Sequence, residues 1–80
     1  MDWRLTNQWN YLTGVSLTRR TWDAAFQTSD HEHCAFCWTK FAAPCVPEAI
    51  QTGYATLDGL HWVCDTCFQD FRGPFGWSAV

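Results

Sequence analysis

Four of the five cysteines of this 80-residue chain form two pairs with the same internal spacing. Cys34 and Cys37 form the first pair, Cys64 and Cys67 the second, and residues 38–63 separate them. Two residues between ligands let one tight turn direct both sulfurs at a single ion, and two such turns complete a tetrahedron of thiolates about 2.3 Å from zinc. Four protein ligands leave no position open for substrate, so we predict one structural zinc ion per chain.

The segments that must position these sulfurs follow from local patterns. Thr6 or Asn7 can cap a short helix that runs to about Leu12, and residues 15–22 are rich in β-formers and predict a strand. Residues 23–30 read as a connector. The prolines at positions 44 and 47 predict a loop over residues 42–47.

A hairpin and a helix are predicted around the second pair. Residues 53–57 and 60–63 flank Asp58-Gly59, which we expect to form a two-residue hairpin loop. Thr66 can cap a helix over residues 67–72 that ends at Gly73-Pro74. We expect an apolar tail to pack back on the body, and aromatic residues next to the cysteines to anchor the core. The tail comprises Phe75, Trp77 and Val80, and the anchors are Trp38, Phe41, Phe68 and Phe71.

This order of knuckle, loop, hairpin and helix resembles a treble-clef zinc finger over residues 31–72. The resemblance implies that Cys34 and Cys37 are the knuckle ligands, and that Cys64 and Cys67 are the ligands at the hairpin end and helix start. The segments 30–34, 62–68 and 75–77 are also loosely similar to small uncharacterised bacterial proteins, a likeness that implies no activity. The predicted fold class is therefore small α+β, a treble-clef-like zinc module with an N-terminal helix–strand extension.

Two metal-dependent alternatives remain open. A rubredoxin-like iron site shares the two CxxC pairs, but that family has glycine after the second cysteine of each pair, where this chain has Trp38 and Phe68. Asp30-His31 is similar to the Asp-His pair of His-metal nucleases, which are also treble clefs. Their chemistry needs a further histidine or asparagine on the following helix, and the predicted helix has neither.

The composition describes a small, folded, mildly acidic chain. Hydrophobic residues make up 48% of the sequence and charged residues 16%, a balance that argues against disorder. Eighty residues allow one domain. We divide that single domain into an N-terminal helix–strand segment over residues 1–30 and a four-cysteine module over residues 31–80.

The charge argues against nucleic acid as a partner. The formal charge is −3, and four thiolates with one divalent ion add −2, which gives −5 for the metal-bound chain. Only five Lys and Arg residues are present to replace counterions along DNA, so we expect no specific binding of nucleic acid.

The sequence shows no signal peptide and no apolar run long enough to span a membrane, which predicts a cytoplasmic protein without membrane contact. The cytoplasm keeps thiols reduced, and an odd number of cysteines fits poorly with a closed set of disulfides. Both observations favour metal binding by the cysteines.

The remaining candidate residues have simpler interpretations. His33 adjoins Cys34 and His31 lies three residues before it, but four cysteines already complete the ligand set. Cys45 has no base or cation nearby in sequence to activate it, so we expect an inert thiol. We expect the side chains of His61 and Trp62 to alternate along the hairpin strand, one facing the core and the other facing solvent. Trp3, Trp9 and Trp22 either fix the N-terminal segment to the module or form a surface that binds a partner.

The sequence thus predicts a non-enzymatic, zinc-stabilised protein-interaction module, of the kind that a small regulator or inhibitor uses. Its acidity suits a basic protein partner. An iron-containing electron carrier is the alternative, and a metal-dependent nuclease is the third hypothesis.

Overall fold

The computed structural model describes residues 3–22, 31–43 and 45–80 of the chain. Within them lie two helices and six short strands, which confirms a small mixed α+β fold. In chain order the elements are α1 (Trp9–Leu12), β1 (Ser16–Thr21), β2 (Glu32–His33), β3 (Lys40–Phe41), β4 (Thr52–Thr56), β5 (Trp62–Val63), α2 (Asp65–Phe75) and β6 (Ser78–Ala79). The connector predicted over residues 23–30 lies outside the described residues.

The main sheet has four strands in the order β5-β4-β1-β6. β1 and β4 are antiparallel, from Leu17 opposite Thr56 to Thr21 opposite Thr52. β5 pairs antiparallel with β4 at one edge, and β6 lies parallel to β1 at the other. β1 confirms the strand predicted over residues 15–22. A separate ladder pairs β2 with β3, the segments on either side of the first cysteine pair.

The core is aromatic and adjoins the cysteines. Phe68, Phe71 and Phe75 recur at three- and four-residue spacing and form one buried face of α2. Phe36, which lies between the cysteines of the first pair, packs against this face, with its ring centroid 4.7 Å from that of Phe71 and 5.4 Å from that of Phe75. Ring packing therefore connects the first pair to the helix of the second, in addition to the close approach of their sulfur atoms.

The last helix is longer than predicted at both ends. It begins at Asp65 with Cys64 as N-cap, whereas the sequence predicted a start at Cys67 with Thr66 as cap. The cap position carries no side-chain hydrogen bond, so the cysteine pair, and not a capping hydroxyl, marks the start of this helix.

The predicted stop at Gly73-Pro74 is also wrong, since Pro74 lies within the last turn of α2. Gly76 ends the helix instead, with a φ of +67° that glycine adopts readily. Its N–H donates to the Gly73 carbonyl, and the Trp77 N–H donates to the Arg72 carbonyl at 3.0 Å. These bonds satisfy carbonyls that the helix end leaves without a partner.

The hairpin loop has four residues rather than the predicted two. The Thr56 N–H donates to the His61 carbonyl at 3.0 Å, which closes the loop outside Asp58-Gly59. A two-residue type I′ loop needs positive φ at both positions, and of these two residues only Gly59 has it. The Asp58 carboxylate accepts from the Thr56 hydroxyl at 2.5 Å and from the Leu60 N–H at 3.0 Å, so it holds the wider loop.

The chain ends also depart from expectation. α1 is a single turn whose N-cap is Gln8, and the predicted caps at Thr6 and Asn7 precede it. In the C-terminal tail, Trp77 is buried as predicted, whereas Val80 is 67% exposed. No helix in the described part of the chain combines the length and apolarity that a membrane crossing requires.

Candidate metal centre

The four paired cysteines meet at one point. Their sulfur atoms all lie within 4.8 Å of one another, so Cys34, Cys37, Cys64 and Cys67 could hold a metal ion. A tetrahedral zinc site with Zn–S bonds of about 2.3 Å needs sulfurs about 3.8 Å apart. The Sγ atoms of Cys37 and Cys64 are 3.6 Å apart. The donor set and its spacing therefore fit a tetrahedral four-thiolate centre.

The first pair lies in a tight turn after β2. The Cys34 N–H donates to the Thr39 carbonyl at 2.8 Å, and the Trp38 N–H donates to the Cys34 carbonyl at 3.1 Å. These bonds fold residues 34–39 back on themselves, so both sulfurs point to the same side. The turn requires a φ of +68° at Trp38, a conformation uncommon for a bulky residue.

The second pair lies at the start of α2. Cys64 is the N-cap residue, and its carbonyl accepts the Phe68 N–H at 2.9 Å, so Cys67 lies in the first helical turn. The unpaired N–H groups and the dipole of a helix start favour thiolates there. The Cys64 N–H also donates to the Cys34 sulfur at 3.4 Å, so the backbone of one pair contacts a ligand of the other.

Burial and proton sharing differ among the four cysteines. Cys34, Cys64 and Cys67 are buried, whereas Cys37 is half-buried. Hydrogen bonds from the thiols of Cys64 and Cys67 hold the pKa of Cys34 well below its usual range. The same hydrogen bonds to Cys34 raise the pKa of Cys64 to about 11 and also raise the pKa of Cys67. A bound metal ion would replace these shared protons, so its affinity is expected to rise with pH.

Two residues that the sequence analysis did not single out contact the sulfurs. The Arg4 guanidinium donates to the Cys67 sulfur at 3.5 Å, across 63 residues of sequence. The Thr39 hydroxyl lies 3.0 Å from the Cys37 sulfur. Arg4 belongs to no motif, because its contact depends on how the N-terminal segment docks. Thr39 lies only two residues after Cys37, so the turn predicted for the first cysteine pair could have indicated this contact.

The fifth cysteine and the histidines lie outside this cluster. Cys45 is exposed and is not one of the four clustered sulfurs. The rings of His31 and His33 contact each other at 4.8 Å, and the His61 ring lies 4.7 Å from that of Tyr11. Among the described residues, no histidine joins the group whose ligand atoms converge.

The candidate partner-binding tryptophans occupy three different environments. Trp22 is only 5% exposed and belongs to the core, so its ring is not available to a partner. Trp9 is 47% exposed, with one face stacked on Phe75 at 3.9 Å. Trp3 is 71% exposed.

Trp38 corrects one prediction of the sequence. We expected it to anchor the core beside Phe41, but its side chain is 69% exposed while Phe41 is fully buried. With the left-handed backbone at Trp38, the indole faces solvent instead of the core. Its exposed ring lies 5.9 Å from that of His33.

No protein-family model, curated protein or solved structure matches this chain.

Proposed function

We propose that this chain is a non-enzymatic protein-interaction module whose fold is stabilised by one zinc ion on Cys34, Cys37, Cys64 and Cys67. Support for the ion comes from four convergent sulfurs, three of them buried. A four-thiolate set suits zinc, and four protein ligands leave it no open position for catalysis. The order of turn, hairpin and helix around the sulfurs supports a treble-clef-like arrangement.

Trp38 is the observation that carries the interaction role. A bulky residue with positive φ is sparsely populated, and such strain is found where function requires it. Here the strained residue exposes an indole that does not belong to the core cluster. Leu60, also 69% exposed, lines the same depression of about 400 Å³ as Trp38. Exposed tryptophan is typical of binding hot spots, and the exposed leucine extends the apolar surface around it.

The charge of the chain supports a basic protein partner rather than nucleic acid. Two of the cations are engaged within the fold, because Arg19 pairs with Asp65 at 2.5 Å and Arg4 pairs with Asp70 at 3.0 Å. With a metal-bound formal charge of −5, the surface would attract a basic protein and repel a phosphate backbone.

An iron-containing electron carrier is the second candidate, and the backbone conformation at Trp38 is what favours it. The rubredoxin-like pattern has glycine directly after the second cysteine of each pair. In this chain the first such position is Trp38, whose backbone has the left-handed conformation that glycine adopts readily. The second pair has no such turn, since Phe68 continues a helix. Elemental analysis and the visible absorption of the purified chain separate the metals, because thiolate-bound ferric iron is coloured and zinc is not.

The interaction role is tested by capture of partners from an extract of the source organism. The bait is the zinc-loaded chain, compared with Trp38→Asn, which tolerates the left-handed backbone. Leu57→Asn is the matched control, since Leu57 is 65% exposed but does not line the Trp38 depression. We expect a stoichiometric partner on the wild type and on Leu57→Asn that is lost on Trp38→Asn. Equal capture by all three would remove Trp38 from the proposal.

A further inference from the structure

The N-terminal segment places a guanidinium directly on the metal centre. Nη1 of Arg4 donates to the sulfur of Cys67 at 3.5 Å and to the carboxylate of Asp70 at 3.0 Å. The guanidinium carbon also lies 4.5 Å above the centre of the Phe71 ring. All three contacts are to α2, and the Arg4 side chain is only 16% exposed.

A buried glutamine fixes the backbone that carries Arg4. Gln8 is 1% exposed, and its side-chain amide donates to the carbonyls of Arg4 and Ala35, both at 2.8 Å. Its side-chain oxygen accepts the Thr6 N–H at 2.7 Å. Because Ala35 follows the first cysteine of the knuckle, Gln8 ties the Arg4 backbone to one cysteine pair while the Arg4 side chain contacts the other.

One side of the metal centre opens into a depression of about 570 Å³. Its lining includes three of the four ligands and the segment around Arg4: Cys37, Cys64, Cys67, Trp3, Arg4, Thr39 and Thr66. Cys34, the remaining ligand, is 1% exposed and does not line it. A chelator or a competing thiol would therefore reach the sulfurs from this side, on which Arg4 lies.

We propose that Arg4 is a positioning residue for the metal centre: it holds the Cys67 thiolate on the ion and slows the loss of metal through this depression. The inference rests on the proposed metal-bound state. A guanidinium that donates to a thiolate offsets part of the −2 charge of a four-thiolate zinc centre, and such charge-assisted bonds are among the stronger hydrogen bonds in proteins. Residues that orient a metal ligand commonly change metal affinity by about 10- to 100-fold when they are replaced.

A purely structural role for Arg4 would have different consequences, and Arg72 provides a matched control. Arg72 also lies on α2 and stacks over an aromatic ring, with its guanidinium carbon 5.2 Å from the centre of Phe68. Its replacement removes the same charge and the same type of cation–π contact. Asp70→Asn weakens the anchor of Arg4 while it leaves the guanidinium in place.

The first experiment measures zinc release to a colorimetric chelator at several chelator concentrations. We expect Arg4→Gln to raise the chelator-dependent rate constant about 10- to 100-fold, with Arg4→Lys in between, a smaller increase for Asp70→Asn and wild-type behaviour for Arg72→Gln. A fold that is merely weaker would instead raise the chelator-independent rate, which reports unfolding. That result, or equal rates for Arg4→Gln and Arg72→Gln, would overturn the proposal.

The second experiment maps the order in which the cysteines react with N-ethylmaleimide during zinc release, by mass spectrometry in a Cys45→Ser background. We expect Cys37, the half-buried ligand, to react first in the parent chain. In Arg4→Gln, Cys67 should advance in this order, whereas Arg72→Gln should keep the parental order. An unchanged order in Arg4→Gln refutes the role of Arg4, while a chain that never retains zinc refutes the proposed function itself. If Arg4→Gln does not fold, Arg4→Lys takes its place, with a smaller advance of Cys67 expected.

Discussion

The two cysteine pairs share a spacing but not a backbone. The pair of Cys64 and Cys67 starts a helix, whereas the pair of Cys34 and Cys37 lies in a turn that ends in a left-handed residue. The residue after each pair shows the consequence, because Phe68 is 1% exposed and Trp38 is 69% exposed. Ligand spacing alone therefore predicts where the sulfurs converge, but the backbone around them decides whether the next side chain builds the core or faces solvent.

The pairs also differ in how they are shielded. Both helix-borne cysteines are buried, and Cys67 has Arg4 beside its sulfur. In the turn, Cys34 is buried, but Cys37 is half-buried next to Thr39. A metal ion held between them would be most accessible at Cys37, within the depression that Arg4 also lines.

Metal removal should have the largest effect, since it breaks the link between the two pairs. Structural zinc contributes about 10–16 kcal/mol of folding free energy in small zinc domains, comparable to the whole stability of a domain. We expect a strong chelator to abolish the near-UV circular dichroism of the tryptophans, and Cys67→Ser to purify without stoichiometric zinc.

Cys45→Ser is the control for this prediction, because Cys45 is exposed and lies outside the cluster. It should retain one zinc ion per chain and the wild-type spectrum. A near-UV signal that survives complete removal of zinc would show that the aromatic core holds the two pairs together without the ion.

Truncation of the core anchor after the second pair should have the next largest effect. Phe68 is stacked on Tyr54, with ring centroids 3.7 Å apart. Phe68→Ala removes a fully buried ring and should lower the free energy of unfolding by about 3–5 kcal/mol, measured by denaturant at saturating zinc. Leu57→Ala, at a position 65% exposed, should change it by less than about 0.5 kcal/mol. A similar, small loss for both variants would contradict the assignment of Phe68 to the core.

A glycine between the two pairs offers a smaller perturbation. A Cβ at Gly53 on β4 would lie 2.6 Å from the Phe41 ring and 2.8 Å from the Val63 carbonyl oxygen. Phe41 belongs to the strand after the first pair, and Val63 directly precedes the second. Gly53→Ala should therefore push the two halves apart and cost about 1–3 kcal/mol in denaturant unfolding.

Gly73→Ala is the matched control, because a Cβ there meets no atom within 4 Å. In a helix this change should be neutral or slightly stabilising. A Gly53→Ala chain as stable as the wild type would mean that the packing between β3, β4 and β5 yields without cost.

The sequence predicted the parts of this molecule that depend on local pattern. The two sulfurs of each pair lie close together because two residues between ligands constrain a turn whatever surrounds it. β1 forms where β-formers dominate, and Phe41 and Phe68 are buried as predicted. In each case the deciding interaction lies within a few residues, or depends only on a side chain being large and apolar.

The structural features that the sequence analysis did not predict depend on distant contacts or on backbone geometry. Arg4 contacts the Cys67 sulfur only because Gln8 and the N-terminal segment dock on the turn of the first cysteine pair. Pro74 lies within α2, and the helix ends two residues later at Gly76. The expectation that a proline ends a helix does not predict this. Trp38 was assigned to the core by its apolarity, whereas a left-handed backbone turns it outward. The types of the residues involved do not predict how distant segments dock or where a residue adopts a sterically costly φ value.

The smallest predicted effect has the opposite sign and isolates the strain in the first turn. A left-handed φ costs an L-residue roughly 1–2 kcal/mol, and glycine adopts it freely at a cost of about 0.5–1 kcal/mol in chain entropy. Because the Trp38 indole is mostly exposed, its loss removes little burial. Trp38→Gly should therefore raise the free energy of unfolding by up to about 1 kcal/mol in zinc-saturated denaturant titrations. Ala35→Gly, in the same turn but without positive φ, should lower it by about 0.4–1 kcal/mol. If both glycine variants lose stability, the turn is not strained at Trp38, and backbone strain no longer supports a binding role for this residue.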